Sequence, residues 1–135
     1  MIFVDACAIV SIMASEPTAP EYESALTRAD AAATSALAVW EAVIVLSRPD
    51  RLNCRCGDAK DAVVEWLDAR GIGFIETVTQ AELLDLAVSA AENYGLGRKA
   101  LSNLDCFHYA YAKAADVPLL SLDRALRKTD VETLP

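Results

Sequence analysis

The chain has 135 residues, which is the length of one ordinary domain. Apolar residues make up 54% of it, and 20 Asp and Glu against 12 Lys and Arg give a net charge of −8. These values exclude a disordered chain and a basic protein that binds nucleic acid over its whole surface. Five Gly and five Pro exclude a collagen-like sequence. We therefore expect residues 1–135 to form one domain with an ordinary apolar core.

Apolar patterning and helix-end signals predict strands that alternate with helices. Ser35 and Thr79 are typical helix N-caps, and Gly71 and Gly95 are typical of helix ends. In chain order the predicted elements are strand 2–4, helix 8–14, helix 21–28, strand 32–34, helix 37–46, helix 57–69, strand 72–78, helix 81–94, helix 103–115, strand 119–121 and helix 124–128. This alternation favours a parallel sheet that is covered by helices on both faces.

The cysteines and the lengths of the apolar runs indicate in which cellular compartment the protein is located. The four cysteines, Cys7, Cys54, Cys56 and Cys106, contain no C-x-x-C pair, and His108 is the single histidine, so a zinc site is poorly supported. Asp5 interrupts the apolar N-terminus, which argues against a secretory signal, and no apolar run approaches the roughly 20 residues of a membrane span. We expect free thiols, a cytoplasmic location and no membrane partner.

Three carboxylates, Asp5, Asp105 and Asp123, follow predicted strands or begin predicted helices. In open parallel sheets, ligands bind at the edge formed by the carboxyl ends of the strands. Each acid also fits a purely structural role. Asp5 and Asp123 are suitable N-cap residues, and Asp105 completes a capping box with Ser102. Taken one at a time, each of the three fits a structural role as well as a chemical one.

Glu41 is more diagnostic because it lies on an apolar stripe of a predicted helix. Its neighbours three and four positions away are Leu37, Ala38, Ile44 and Val45. An ionised carboxylate there costs several kcal/mol unless a cation compensates it. No Lys or Arg lies between Arg28 and Arg48, so the compensating charge is not local. The alternative is a surface glutamate at the edge of the stripe.

Four such acids in one pocket would repel one another strongly unless a divalent cation neutralised them. Oxygen ligands without a His or Cys partner select Mg²⁺, with Mn²⁺ as its substitute. A metal held in this way activates water and stabilises the leaving oxygen of a phosphodiester. The combined pattern therefore favours metal-dependent phosphodiester hydrolysis.

Four segments resemble those of a known family. They are 2–9 (IFVDACAI), 40–42 (WEA), 104–110 (LDCFHYA) and 117–123 (VPLLSLD). The gaps between the four acids are 36, 64 and 18 residues, similar to those of short family members. On these motifs the whole chain resembles a PIN-domain ribonuclease of the VapC type, the toxin of a bacterial type II toxin–antitoxin pair.

The resemblance implies a three-layer α/β/α PIN-like fold with a central parallel sheet of four to five strands. It implies a catalytic cluster of Asp5, Glu41, Asp105 and Asp123, in which the first three hold Mg²⁺. The implied activity is a metal-dependent endoribonuclease that cleaves cellular RNA, often tRNA or rRNA. The implied partners are a VapB-type antitoxin and a second copy, in a homodimer or a toxin–antitoxin hetero-oligomer.

Two positions depart from the family pattern. Cys7 stands where family members usually carry Ser or Thr, and a thiol is a weaker hydrogen-bond donor than a hydroxyl. Ser102 stands where an Asn is common. The first departure leaves open a catalytically impaired PIN domain that serves as a binding module.

Basic residues flank the last two acids despite the negative net charge. Arg98 and Lys99 precede Asp105, and Arg124 follows Asp123 directly. With Ser121, these three cations are the candidate substrate-binding residues, which would hold RNA phosphates. The alternative is that each basic cluster is only a solvated face.

Two other enzyme or signalling classes share an Asp after the first strand. A phosphatase of the haloacid dehalogenase type needs a second Asp two residues later, where this chain has Cys7. A phospho-acceptor receiver module needs a pair of acids after the first strand and a Lys after the last. Neither feature is clear in this sequence.

Overall fold

The order of strands and helices follows the predicted alternation in a computed structural model, which describes all 135 residues. The elements are β1 Ile2–Val4, α1 Ala6–Met13, α2 Ala19–Arg28, β2 Ala32–Thr34, α3 Ala36–Leu46, α4 Cys56–Ala69, β3 Gly73–Phe74, α5 Gln80–Tyr94, α6 Asn103–Ala115, β4 Leu119–Leu120 and β5 Thr133–Leu134. A short 3₁₀ helix spans Leu126–Lys128. None of the helices is both long and apolar enough to span a lipid bilayer.

All five strands are parallel and lie in the order β3-β2-β1-β4-β5. Helices cover the sheet on both sides, which confirms the expected three-layer α/β/α architecture. Strands β2 and β3 follow one another on one side of β1, and strands β4 and β5 follow one another on its other side. The direction of strand addition therefore reverses beside β1, the arrangement that opens a ligand-binding crevice in parallel sheets.

The central strand and its neighbours form the middle of the core. Every residue of β1 is buried, and Leu119 and Leu120 of β4 are buried as well. Such continuous apolar runs are typical of parallel strands with helices on both faces. The Phe3 ring stacks on that of Tyr111, with centroids 5.7 Å apart, and so joins β1 to α6. The core thereby fixes where the ends of β1 and β4 lie.

Polar caps define the ends of three helices, as their sequences predicted. Ser35, Thr79 and Ser102 each accept a hydrogen bond from a backbone N–H in the first turn of α3, α5 and α6. These bonds satisfy donors that the helix itself leaves free.

The sequence did not predict strand β5, and it predicted too long a strand β3. The predicted strand 72–78 is a strand only at Gly73–Phe74, because it lies at the edge of the sheet and keeps a single further bond, from the Ile75 N–H to the Thr34 carbonyl. Strand β5 was missed because two residues carry no periodicity, and backbone pairing with β4 alone defines it. The predicted helix 124–128 shortens to the 3₁₀ helix Leu126–Lys128.

A hydrogen-bonded carboxylate attaches the segment before β5 to two helices. Asp130 accepts hydrogen bonds from the Tyr109 hydroxyl, at 2.9 Å, and from the Lys113 ammonium, at 2.8 Å. Its backbone N–H donates to the Tyr94 hydroxyl. The hydrogen bonds from Lys113 and Tyr109 lower the pKa of Asp130 to about 2. The C-terminal strand is thus positioned from α5 and α6.

We expect Tyr109→Phe to lower the free energy of unfolding by about 1–2 kcal/mol, because it removes a hydrogen bond to a charged carboxylate. Tyr111→Phe is the matched control, since the Tyr111 hydroxyl makes no hydrogen bond, and it should cost less than about 0.5 kcal/mol. Urea unfolding of both variants measures the difference. Equal losses in the two variants would contradict this role for Asp130.

The stabilising effect of Asp130 depends on pH in a defined direction. Its pKa is lower in the folded chain than the ordinary value of 3.8, so its contribution is present above pH 3.8 and is lost as the pH falls through about 2. The difference in unfolding free energy between wild type and Asp130→Asn should therefore be constant near neutral pH and shrink below about pH 4. Urea unfolding at a series of pH values checks this, with the exposed Asp85→Asn as control. A difference that grows in acid would contradict it.

Candidate active site

Three neighbouring strands end in buried polar residues at one edge of the sheet. Asp5 follows β1, Ser35 follows β2 and Ser121 follows β4, and each is at most 3% exposed. Asp5 and Ser121 occupy equivalent positions on adjacent strands, because Val4 and Leu120 are register partners. This edge coincides with the reversal of strand order beside β1, so the fold brings two of the predicted site residues together at its natural binding crevice.

Asp5 is the most constrained carboxylate of the site. It caps α1, and its Oδ1 accepts a hydrogen bond of 2.6 Å from the Ala6 N–H. Its Oδ2 accepts a hydrogen bond of 2.9 Å from the Cys7 thiol. The structural role of capping and a position in the crevice are therefore combined in one residue, which is only 3% exposed.

Glu41 contacts the single histidine of the chain. The His108 Nε2 lies 2.7 Å from Glu41 Oε2 and 3.5 Å from Asp5 Oδ1, so one imidazole touches both carboxylates. His108 is fully buried, whereas about a third of the Glu41 side chain is exposed. The hydrogen-bond partner of Glu41 on its apolar stripe is thus a residue 67 positions away.

Charge acts on His108 from three acids. Burial disfavours the charged imidazole, but Asp5, the Glu41 hydrogen bond and the more distant Asp105 together raise the pKa of His108 above its ordinary value. The carboxylates at this edge are therefore close enough to influence one titrating group. Asp5 and Glu41 contact the imidazole directly, whereas Asp105 acts on it only through its charge.

Asp105 lies in the first turn of α6, one turn before His108. Its Oδ2 accepts from the Ser102 N–H at 2.7 Å, and the Ser102 hydroxyl accepts from the Asp105 N–H at 3.1 Å. The predicted capping box is therefore present. The Asp105 Oδ1 makes no hydrogen bond, so the carboxylate that caps the helix retains one free oxygen.

Asp123 is placed differently from the other three acids. Its Oδ1 accepts hydrogen bonds from the N–H groups of Ala125 and Leu126, and the residue is exposed. Its only link to the crevice is its backbone N–H, which donates to the Ser121 hydroxyl at 3.2 Å. A catalytic role for Asp123 stays a prediction, because the side chain contacts its own turn rather than the other acids.

The donor set at this edge fits a hard divalent cation in its chemistry. It consists of carboxylate oxygens, and neither Glu41 Oε1 nor Asp105 Oδ1 accepts a hydrogen bond. In this structure, no group of three or more Asp, Glu, His or Cys side chains lies close enough together to hold a metal ion. Metal binding by Asp5, Glu41 and Asp105 therefore stays a prediction.

Cys7 joins the ends of β1 and β4 through a small polar network. Its thiol donates to Asp5 and lies 3.2 Å from the Ser121 hydroxyl and 3.3 Å from the Tyr22 hydroxyl. Tyr22 in turn accepts from the Leu122 N–H at 2.9 Å. Burial and the charge of Asp5 raise the pKa of the Cys7 thiol, so the thiol keeps its proton and donates it. Cys7 thus makes the contact to Asp5 that a hydroxyl would make.

Two basic clusters that are separate in the sequence meet in the fold. Arg98 and Lys99 line the same hollow as Arg124 and Lys128, and its volume is about 420 Å³. Asp123 also lines it. None of the four cations forms a salt bridge with a carboxylate. They are therefore available to an anionic ligand next to Asp123.

Sequence reasoning missed His108 and Tyr22 as site residues. His108 could have been found, since it follows Asp105 by three positions and therefore faces the same side of α6. Tyr22 carried no such signal, because its partner Leu122 is 100 residues away.

Comparison with known proteins agrees with this architecture. A family model described as PIN domain matches residues 2–132. Ribonuclease VapC of Mycolicibacterium smegmatis is 31% identical over 131 residues, which cover 95% of this chain and 95% of the relative.

Two solved structures share the fold along the whole length of both chains. VapC20 of Mycobacterium tuberculosis, described as a toxin that cleaves the sarcin–ricin loop, has a TM-score of 0.73 at 18% identity. VapBC2 of Rickettsia felis, bound to a DNA fragment from its promoter, has a TM-score of 0.69 at 14% identity. Because the family model and the relative from M. smegmatis each extend over nearly the whole chain, the protein belongs to the PIN domain family and is of the VapC type.

Proposed function

We propose that this protein is the toxin of a VapBC-type pair, an endoribonuclease that hydrolyses phosphodiester bonds of cellular RNA, with tRNA or rRNA as targets. It acts as a single domain in the cytoplasm and uses Mg²⁺, for which Mn²⁺ substitutes. The observation that carries this proposal is the contact of one buried imidazole, His108, with both Asp5 and Glu41 at the crevice beside β1, on the helix that also carries Asp105. Relatives over the whole length of the chain are named ribonucleases, which supports the same activity.

Asp5, Glu41 and Asp105 are the residues that would hold the metal. When bound, the metal activates a water molecule and stabilises the negative charge of the reacting phosphate. Asp5 is held in orientation by the Ala6 N–H and the Cys7 thiol. Asp105 is held by the Ser102 N–H. Asp5 and Asp105 are therefore each preorganised by hydrogen bonds from their own helix end, which limits the reorganisation that metal binding requires.

The hollow lined by Arg98, Lys99 and Arg124 supports RNA as the substrate. A chain of net charge −8 repels a polyanion at long range, so binding depends on a local group of cations. The four unpaired cations of this hollow provide such a group, and Ser121 lies between the hollow and Asp5 in the polar network. We expect weak RNA binding that falls steeply with salt.

A VapB-type antitoxin is the partner that we propose, in a hetero-oligomer with this chain or with its homodimer. The solved relative from R. felis is described as VapBC2, an assembly of this kind. The partner would place an amphipathic segment in an apolar groove. Its Arg or Lys side chains would neutralise the carboxylates at the crevice and block metal and substrate together.

An active nuclease is favoured over an impaired binding module, because the Cys7 thiol still donates to Asp5 at 2.9 Å. The phosphatase and receiver alternatives are excluded by membership of the PIN domain family.

We expect Asp5→Asn to reduce RNA cleavage by at least about 100-fold, because it removes a charge that a divalent metal requires. Asp85→Asn is the control, since Asp85 is exposed on α5 and makes no ion pair, and it should cleave normally. Labelled RNA is incubated with each protein and Mg²⁺ or Mn²⁺, and EDTA should stop the reaction. Cleavage that persists undiminished in Asp5→Asn and in EDTA would falsify the proposed nuclease.

We expect Arg98→Ala and Arg124→Ala to weaken RNA binding about three- to tenfold, each in the inactive Asp5→Asn background. The slope of log affinity against log salt should fall by roughly 0.7 for each phosphate contact that is lost. Arg28→Ala is the matched control, because Arg28 lies outside the hollow and forms no salt bridge. Fluorescence anisotropy with single-stranded RNA at several salt concentrations measures both quantities. Equal losses of RNA affinity in all three variants would show that the hollow does not bind RNA.

A further inference from the structure

His108 is a fully buried polar side chain at the crevice that the proposed reaction does not yet use. Its Nε2 lies 2.7 Å from Glu41 Oε2, and its Nδ1 is buried with no hydrogen-bond partner. The residue belongs to α6, whereas Glu41 belongs to α3. A hydrogen bond between two helices therefore ends on a predicted metal ligand.

We propose that His108 is a positioning residue that holds the Glu41 carboxylate beside Asp5 in the orientation that metal binding needs. This inference rests on the proposed metal-dependent function and adds a residue to it. In this role His108 contacts neither metal nor substrate and acts through its hydrogen bond to Glu41, while the same nitrogen lies 3.5 Å from Asp5 Oδ1.

The direction of the hydrogen bond follows from the unpartnered nitrogen. A neutral imidazole carries its proton on one nitrogen only. A proton on Nδ1 alone would leave a buried donor without an acceptor and would place two lone pairs against each other at Glu41. In the remaining neutral form, and in the charged form, Nε2 carries a proton. His108 therefore donates to Glu41 in both of these forms.

Glu41 needs such a donor more than the other acids do. About a third of its side chain is exposed, and no backbone N–H holds its carboxylate, in contrast to Asp5 and Asp105. A flexible Glu side chain loses rotamer freedom when it is ordered, and a preformed hydrogen bond reduces that cost at the moment of binding.

The imidazole is suited to this task because it is rigid. It has no exposed surface, and its ring lies 6.3 Å from that of Phe3 in the central strand. His108 bonds only to Glu41 Oε2 and leaves Oε1 without a partner, free to bind a cation. The helix that supplies Asp105 thus also orients Glu41, so α6 controls two of the three predicted ligands.

The test is a titration of the full-length apo-protein with Mn²⁺ by calorimetry. We expect His108→Leu to weaken Mn²⁺ binding by about tenfold or more, the range found when a hydrogen bond to a metal ligand is removed. His108→Gln keeps an N–H near the Nε2 position and should bind within about threefold of wild type. In a Glu41→Gln background, His108→Leu should cause no further loss, because the effect passes through Glu41. Thermal unfolding by circular dichroism establishes that each variant is folded.

The results separate this inference from the proposed function. Unchanged or tighter Mn²⁺ binding in His108→Leu, or an equal loss with and without Glu41, overturns the role of His108 while the nuclease stands. Absence of Mn²⁺ binding by wild type overturns the metal-dependent function and the inference with it.

A second readout leaves His108 in place, should His108→Leu not fold. Since the chain contains one histidine, its ring ¹⁵N signals are assigned without ambiguity. We expect Nε2 to be protonated and its proton signal to shift in Glu41→Gln but not in Asp85→Asn. A neutral ring protonated on Nδ1 alone overturns the inference.

Discussion

The burial of the Asp5 carboxylate at the end of the central strand is the constraint on which the site depends. A carboxylate that is only 3% exposed requires hydrogen-bond donors or cations on every side. The Ala6 N–H and the Cys7 thiol of α1 donate hydrogen bonds to it, and the His108 imidazole of α6 lies 3.5 Å from its Oδ1. Because these elements are held by the core around β1, the chemistry of the crevice and the stability of the sheet are coupled.

Acidic and basic groups are separated over a short distance at the carboxyl edge of the sheet. Asp5 and Glu41 contact one imidazole beside β1. Arg98, Lys99 and Arg124 line a hollow whose lining also includes Asp123. Ser121 connects the two regions, since its hydroxyl contacts Cys7 on one side and the Asp123 backbone on the other. An acidic protein in this way carries a local group of unpaired cations beside Asp123.

Most of the fold was predictable because its signals are local. The apolar runs of β1 and β4, the polar caps Ser35, Thr79 and Ser102, and the glycines at helix ends all act within a few residues. Strand β5 and the true length of β3 were not predictable, because a strand of two residues is defined by backbone bonds to a neighbour rather than by its side chains. The positions of Asp5, Asp105 and Asp123 after strands or at helix starts were also local properties.

The sequence by itself determined the alternation of strands and helices, the acids at their ends and the resemblance to the PIN domain family, since each follows from neighbouring residues. Only the tertiary structure decided which acids meet. It directed Glu41 to His108, left Asp123 on its own turn and joined two distant basic clusters in one hollow. The physical reason is that side-chain burial and contacts between residues 67 to 114 positions apart depend on how helices pack on the sheet, which no local pattern specifies.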